Sequence, residues 1–175
     1  MAQVDLRQLI GKLNTSTRAA LEAAIALCVT RTNYNVEVEH WLLKLLEPSN
    51  TDFVALLRQC GVDTSRLTSD LTRTIDKLPT GNSRTPGLSP YVVALIREAW
   101  LIGSIDYAAS ATRSGFVLCA LVSDESFARL AFAASGEFAK VSPDGVRRLL
   151  PAVLPKTDEA KEAGAAEAPA APAVR

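Results

Sequence analysis

Acid–base chemistry in this sequence would have to centre on His40, the only histidine, which follows Glu37 and Glu39 in the segment VEVEHWLL. A histidine near a cysteine such as Cys28 could act as the base that activates a thiol nucleophile. A single histidine, however, excludes a multi-histidine metal site. His40 also falls at the start of a predicted helix, where carboxylates interact favourably with the helix dipole. We therefore interpret His40 as a structural residue, hydrogen-bonded in the first turn of that helix.

The three cysteines, Cys28, Cys60 and Cys119, are odd in number, far apart and surrounded by apolar helical sequence. Such cysteines are typical of reduced thiols in a protein core and do not suggest a disulfide framework or a metal site. The helix around Cys28 offers no positive charge that would stabilise a thiolate, so we predict an inert, buried thiol there.

A phosphate-binding loop is missing, because the sequence contains no G-x-x-x-x-G-K-[ST] motif. The stretch GNSRTPG lacks both the lysine and the strand-to-helix context that such a loop requires. The charged pairs Arg97 with Glu98 and Asp106 with Arg113 are typical of solvated ion pairs or helix caps. We therefore predict that this chain is not itself an enzyme and that it binds no cofactor or metal.

The composition narrows the class of partner and the location. Nineteen acidic residues balance nineteen basic ones, which gives no electrostatic reason to expect nucleic acid or an anionic membrane as a partner. No uncharged run reaches the roughly 18–20 residues that span a membrane. The amino terminus MAQVDLRQLIGKL lacks the pattern of a secretory signal. Together with the thiols, these features predict a cytoplasmic protein.

An internal repeat organises the chain. Ala24 in EAAIALC corresponds to Ala99 in REAWLIG, about 75 residues later, and Gly61 corresponds in the same way to Gly136. One copy is too small to bury its own apolar faces, whereas two copies packed together can form a single core. Helical periodicity dominates and no segment alternates convincingly between apolar and polar residues, so we predict an all-α fold with essentially no sheet.

Breaks in composition set the expected boundaries. The loop PTGNSRTPGLSP separates the copies. The stretch after Leu154 is rich in Ala, Pro, Glu and Lys, which predicts a disordered linker that leads to a further part of a longer protein. The predicted units are an extra leading helix over 5–13, copy one over about 15–79, copy two over about 88–154, and the linker over 155–175.

The doubled pattern resembles the Clp amino-terminal domain, a double four-helix repeat at the front of Clp unfoldases and Hsp100 disaggregases. The family's signature is an alanine-rich helix followed by a helix of the form hxxEHhLhaLh, and this chain matches it at Glu39, His40, Leu42, Leu43, Leu45 and Leu46. The leading helix DLRQLIGKLN, the segment LSPYVVALIREAWLIGSI, and TRSGFVLCAL in place of a second EH motif are most similar to the ClpV branch, the AAA+ ATPases of type VI secretion. The resemblance covers about residues 1–154.

This resemblance implies a partner and a place for it. It implies that the domain recognises an amino-terminal helix of the larger subunit of the contractile sheath, so that the sheath can be disassembled and recycled. It also implies that ATP and Mg²⁺ belong to AAA+ modules outside this chain, that the full-length protein is hexameric, and that the isolated domain is monomeric.

The partner helix would dock between the leading helix and the first helix of copy one, where small alanines allow close approach. The predicted binding residues are Leu6, Leu9, Ile10, Leu13, Thr17, Ala20, Leu21 and Ala24, with Leu88 on the rim. The residues alone leave one alternative open, in which Leu9 and Leu13 cap the core and Ala20 and Ala24 face its interior.

Two other functions compete with sheath recognition. One is a general adaptor- or substrate-docking domain of the ClpA or ClpB type, for which the leading helix would be absent or inert. The other is a small helical enzyme or ligand carrier, which the scarcity of convergent polar groups on these apolar helices disfavours.

Overall fold

A computed structural model of the chain describes residues 5–162, which are almost entirely helical. The α-helices are α1 Leu6–Lys12, α2 Thr15–Thr30, α3 Val38–Leu45, α4 Asp52–Gln59, α5 Thr64–Asp76, α6 Pro90–Leu101, α7 Ser114–Ser123, α8 Glu125–Ala134 and α9 Pro143–Val153. A π-helical turn, Ile102–Asp106, extends α6, and 3₁₀ turns occupy Gly136–Lys140 and Asp158–Lys161. The predicted all-α fold is confirmed.

The helices follow one another in the order that the repeat requires, with α2–α5 in the first copy and α6–α9 in the second. The corresponding residues Ala24 and Ala99 are both fully buried, and so are Trp41 and Phe116, which are also about 75 positions apart. Gly61 ends copy one's third helix with a φ of 81°, a left-handed conformation that favours glycine. The two copies pack into one continuous apolar core.

A very short parallel sheet joins the copies. Strand β1, Asn35–Val36, pairs with strand β2, Gly87–Leu88, in the register Asn35 to Gly87 and Val36 to Leu88. The expectation of essentially no sheet therefore overlooked one pair of two-residue strands. Their ladder continues into the N–H of Ser89, which donates to the carbonyl of Val36 over 3.0 Å, and Ser89 then caps α6. The pairing fixes where copy two begins relative to copy one.

The second copy has no counterpart of His40, and at that position α7 lies very close to α4 and α9. Gly115 stands at the position that corresponds to His40, and a Cβ atom there would lie 2.9 Å from both Asp52 Cβ and Leu150 Cδ2. Those distances are shorter than side chains tolerate, so only glycine fits. The departure of copy two from the family signature at the histidine position therefore has a packing reason.

The folded part extends beyond the expected boundary at Leu154. The 3₁₀ turn Asp158–Lys161 packs back on the domain, and Glu159 is only 1% exposed. Its carboxylate accepts hydrogen bonds from the N–H of Asp52 at 2.7 Å, the N–H of Ser114 at 2.8 Å and Asn14 Nδ2 at 2.9 Å. The predicted linker therefore begins too early, and the part of it from residue 163 onward lies outside the described residues.

The position of Glu159 has an electrostatic cause. Asp52 and Ser114 are the first residues of α4 and α7, whose N-terminal N–H groups have no partner within their own helices. A carboxylate satisfies these donors and also interacts favourably with the positive ends of both helix dipoles. Residues near the end of the described chain thus complete two helices that belong to different copies.

An ion pair lies beside Glu159, at the junction between the copies where the starts of α4 and α7 meet the turn Asp158–Lys161. Arg113 Nε and Nη2 each donate to the carboxylate of Asp52 over 2.8 Å, and Nη2 also donates to the carbonyl of Leu154 over 2.6 Å. Thr157 Oγ1 donates to Asp52 over 2.6 Å. Burial raises the pKa of Asp52, and the nearby carboxylate of Glu159 raises it further. Arg113 is therefore the cation that makes the buried carboxylate of Asp52 tolerable.

Candidate functional site

Helix α1 lies across the second copy, although it precedes the first in sequence. Asp5 caps the helix by accepting from the N–H of Arg7 over 2.9 Å. The helix packs against α6, where Lys12 Nζ lies 5.0 Å from the centre of the Trp100 ring. After α1, the chain pairs with residue Thr112: Asn14 N–H donates to the Thr112 carbonyl over 3.0 Å. These contacts hold α1 beside the start of α2.

Helix α2 has one inward side and one outward side, even though nearly all its residues are apolar or small. Asn14 caps it by accepting from the N–H of Thr17 over 3.0 Å. The inward side is formed by the buried residues Thr17, Ala20, Leu21, Ala24 and Cys28. The exposed residues Ala19, Glu22 and Ala26 form the outward side. Alanine therefore occurs on both sides, and its presence alone does not mark a surface.

An open groove runs between α1 and the first turns of α2. We call it the α1–α2 groove; it has a volume of about 430 Å³ and is lined by Asp5, Leu6, Arg7, Ile10 and Arg18. Leu6 and Ile10 lie one helical turn apart and form its apolar wall, while Arg18 faces them from α2. The Arg18 guanidinium is 3.6 Å from Glu22 in an exposed pair, so it remains available to a partner.

A smaller groove lies on the other flank of α2. This α2–α3 groove has a volume of about 150 Å³ and is lined by Ser16, Ala19, Ala20, Ala23, Lys44, Glu47 and Pro48. Its alanines provide a shallow floor, and the pair Lys44–Glu47, 3.0 Å apart, borders it. The first turns of α2 therefore stand between two grooves.

Two further depressions adjoin one another on the second copy, between α6 and α8. They have volumes of about 320 and about 270 Å³ and share Tyr91 and Ser126 as lining residues. We call them together the α6–α8 groove. With the 75-residue offset, α6 corresponds to α2 and α8 corresponds to α4, so the α6–α8 groove is not the counterpart of the α2–α3 groove.

The structure separates the predicted binding residues into two groups. Leu6 and Ile10 line the α1–α2 groove, and Ala20 lines the α2–α3 groove. Leu9, Leu13, Thr17, Leu21 and Ala24 are buried in the core, at no more than 3% exposure, so their placement on groove walls or floor is wrong. The alternative, in which Leu9 and Leu13 cap the core and Ala20 and Ala24 face its interior, is the correct one; Ala20 is 6% exposed and belongs to the core as well as to the edge of the α2–α3 groove.

The buried members have definite structural tasks. Thr17 Oγ1 donates to the carbonyl of Thr112 over 3.1 Å, and the Thr17 carbonyl accepts from Trp41 Nε1 over 3.2 Å. Leu9 and Leu13 attach α1 to the core. Helical periodicity identified the apolar side of α1 correctly, but that side is divided between the core and the groove.

Leu88 is not among the residues that line the α1–α2 groove. It belongs to strand β2, immediately before the start of α6, whereas α1 contacts Trp100 near the other end of that helix. A helix of twelve residues is roughly 18 Å long. Within residues 5–162, no contact of Leu88 with a residue of this groove is found, and its place on the rim stays a prediction.

Two arginines line the α1–α2 groove, Arg7 and Arg18, and neither was among the predicted binding residues. A signal was available, because Arg18 is one residue after the inward-facing Thr17 and is therefore turned about 100° from it around the helix. Arg7 follows Leu6 on the outer part of α1. A search for charged residues that flank the apolar stripe would have found both.

His40 is structural, as the sequence predicted. Its Nδ1 accepts from the N–H of Glu37 over 2.9 Å, which completes a capping box at the start of α3. Because Nδ1 is an acceptor, Nε2 carries the proton and donates to Asn33 Oδ1 over 3.0 Å. Burial lowers the pKa of His40 to about 4, and the positive charge of Arg31 contributes in the same direction.

This lowered pKa predicts a loss of stability in mild acid. Between its ordinary value of 6.5 and about 4, the unfolded chain binds a proton on His40 that the folded domain does not bind. The contribution of neutral His40 is therefore complete above pH 6.5 and falls as the pH decreases toward 4. We expect the difference in melting temperature between the unaltered domain and His40→Gln to be largest at pH 7 and to shrink at pH 4.5. A constant difference would show that His40 does not titrate in this way.

The cysteines occupy apolar surroundings. Cys28 and Cys119 are fully buried, and Cys60 is partly buried. Burial raises the pKa of all three thiols, which keeps them protonated and poorly nucleophilic at neutral pH. Within residues 5–162, no three His, Cys, Asp or Glu side chains come together as a metal site would require. Nor is any helix in that range long and apolar enough to cross a membrane.

The sequence and the fold agree with one family of domains. The sequence profile of the Clp repeat (R) N-terminal domain matches residues 12–129, and the chain belongs to this family. Within this family, the chain is similar to the amino-terminal domains of ClpV in sequence and in structure. It is 32% identical over 146 residues to the AAA+ ATPase ClpV1 of Pseudomonas aeruginosa, a match that covers 83% of this chain and 16% of that protein.

The chain is also similar to a ClpB chaperone and to a solved ClpV domain with a bound peptide. The chain is 26% identical over 164 residues to the chaperone protein ClpB of Yersinia enterocolitica, covering 92% of this chain and 18% of that protein. It therefore spans less than a fifth of the length of these relatives. A solved complex of a ClpV N-domain with a VipB peptide superposes with a TM-score of 0.78 at 27% identity, covering 91% of this chain and 97% of that one.

Proposed function

We propose that this chain is the substrate-recognition domain of a ClpV-type AAA+ ATPase. In this proposal it binds an amino-terminal helix of the larger subunit of the type VI secretion sheath, so that the ATPase modules can disassemble and recycle the sheath. The single observation that carries the proposal is the open groove between α1 and α2, with the apolar pair Leu6 and Ile10 on one wall. A structural neighbour of the same family was solved with a VipB peptide bound, which supports a peptide partner.

The shape and chemistry of the groove suit an amphipathic helix. Leu6 and Ile10, one helical turn apart, offer a narrow apolar strip to side chains that repeat every three or four residues. The guanidinium groups of Arg7 and Arg18 border that strip and can pair with carboxylates beside the partner's apolar face. A short peptide gives up conformational freedom when it folds on binding, so we expect an affinity in the micromolar range.

A general docking role of the ClpA or ClpB type remains the alternative, and the similarity to ClpB supports it. Helix α1 discriminates between the two functions. For sheath recognition it is a wall of the site, whereas for general docking its apolar groove face would have no task. Removing the first fourteen residues would not decide the question, because Leu9, Leu13 and Asn14 are buried and their loss would disturb the core.

The test is a single charge on the groove wall. Leu6→Glu places a carboxylate that a bound helix would have to desolvate, so we expect sheath-peptide affinity to fall tenfold or more, equivalent to about 1.4 kcal/mol. Leu6 is only partly buried and the first turn of α1 favours acidic residues, so the domain should stay folded. The affinity can be measured by calorimetric titration of the peptide.

The matched control is Gln8→Glu, which adds the same charge to the exposed side of the same helical turn. We expect it to bind the peptide within twofold of the unaltered domain. Equal affinities for the Leu6→Glu and Gln8→Glu variants would place the binding site elsewhere on the domain.

A further inference from the structure

The last described residue, Glu162, contacts α2, the helix that separates the α1–α2 groove from the α2–α3 groove. After the turn Asp158–Lys161, the carboxylate of Glu162 accepts from the backbone N–H of Ser16 over 2.8 Å and from Ser16 Oγ over 2.7 Å. Ser16 is the second residue of α2, and an N–H at that position has no partner within its own helix. Glu162 therefore caps α2 from a position 146 residues away in sequence.

Two caps now hold the start of α2, and they come from different parts of the chain. Asn14 accepts from the N–H of Thr17 and Glu162 accepts from the N–H of Ser16. One turn earlier, Glu159 accepts from Asn14 Nδ2 over 2.9 Å and thereby fixes the first cap as well. The segment 157–162 thus provides one cap directly, through Glu162, and holds the side chain of the other, Asn14, through Glu159.

That first turn carries residues of both grooves. Ser16 lines the α2–α3 groove, and Arg18, two residues later, faces Leu6 and Ile10 across the α1–α2 groove. A loosened first turn would move Arg18 relative to the apolar wall on α1. The same segment leads directly to residue 163 and the chain that follows the domain.

We propose that Glu162 is a positioning residue for the α1–α2 groove: by capping α2 it holds Arg18 opposite Leu6 and Ile10, and it couples the groove to the chain segment that leaves the domain. This inference rests on the proposed function of the groove. When the turn is docked, the groove is ready for a partner helix. When Glu162 releases Ser16, the binding-competent fraction falls, and the apparent affinity falls by the same factor.

The size of the effect follows from helix capping. Loss of a side-chain cap typically changes a helix-end equilibrium by roughly three- to thirtyfold. Because Asn14 remains as a second cap, we expect the lower part of that range. Peptide affinity should fall roughly three- to tenfold in Glu162→Ala, whereas a global change in stability should be small because Glu162 is only partly buried.

The experiment uses the full chain and two readouts. In Glu162→Ala, hydrogen exchange of the Ser16 amide should become at least tenfold faster, with exchange at Val54, which Thr51 caps, unchanged. Affinity for the amino-terminal peptide of the larger sheath subunit should fall as stated. Glu162→Gln, whose amide oxygen can still accept one hydrogen bond, should recover part of both effects, and Glu125→Ala, at an exposed glutamate of α8, should change neither.

The possible results distinguish a failure of the proposed role of Glu162 from a failure of the proposed sheath binding. Unchanged Ser16 exchange in Glu162→Ala would overturn the inference, and so would faster exchange with unchanged peptide affinity, which would leave the proposed function intact. A full chain that does not bind the peptide at all would overturn the proposed function itself.

Discussion

We expect Ala24→Glu to abolish the cooperative thermal transition of this domain, because the new carboxylate would replace a methyl group that has no exposed surface. Ala24 faces the core from the middle of α2, where a carboxylate would find no partner and no water. An unpaired charge in such a place costs several kcal/mol, and the extra volume adds strain. Total stabilities of domains are about 5–15 kcal/mol, so this one change can remove most of the margin.

The measurement is a circular dichroism melt beside that of Ala26→Glu. Ala26 lies on the exposed side of the same helix, so its replacement adds the same charge and volume without burial. We expect Ala26→Glu to melt within about 2 °C of the unaltered domain, since surface substitutions change stability by less than about 0.5 kcal/mol. A folded Ala24→Glu domain with a normal melt would show that Ala24 is at the surface.

The second large effect is expected at the junction between the copies. Arg113→Met keeps much of the apolar stem but leaves Asp52, which is fully buried, without its cation. Removing one partner of a buried ion pair costs about 3–5 kcal/mol. For a domain of this size, that loss lowers Tm by roughly 6–20 °C. The deficit should become smaller in acid, because a protonated Asp52 no longer needs a cation.

Arg129→Met provides the comparison. The Arg129–Glu125 pair spans 2.9 Å, similar to the Arg113–Asp52 pair, but its side chains are 77% and 88% exposed. Exposed pairs contribute little, so we expect Tm to change by no more than about 2 °C. If the Arg113→Met and Arg129→Met variants melted at the same temperature, the buried junction would not be important for stability.

Local rules in the sequence predicted much of the fold. The stripe Leu67, Leu71 and Ile75 on α5 is buried as its spacing indicates. Gly61 follows the last turn of α4 in the left-handed conformation that glycine favours. The repeat predicted the order of the helices, because each copy must bury its apolar faces against the other.

The folded end of the chain could not be predicted in the same way. The segment 155–162, PKTDEAKE, is short, charged and without a large apolar residue, which is typical of a linker. Their order depends on the contacts of Glu159 and Glu162 with donors more than 40 residues away along the chain. The composition of a segment indicates how much apolar surface that segment can bury. It does not indicate that N–H groups at the starts of distant helices need a carboxylate as acceptor.

The binding residues were only partly predictable for a related reason. Helix α2 is apolar or small nearly all the way round, so its periodicity does not tell the inward Ala24 from the outward Ala19. The contacts that decide this, such as the Trp41 indole with the Thr17 carbonyl, involve other helices. On α1, which has clear polar positions, two of the predicted binding residues, Leu6 and Ile10, line the groove.

The central claim is that the α1–α2 groove receives the sheath helix, and an NMR titration tests it most directly. The ¹⁵N-labelled full chain would be titrated with the amino-terminal peptide of the larger sheath subunit, and amide shifts would be followed residue by residue. We predict that the largest changes occur at Leu6, Ile10 and Arg18. Largest changes at Tyr91 and Leu130 of the α6–α8 groove, with the amides of α1 unchanged, would contradict the claim.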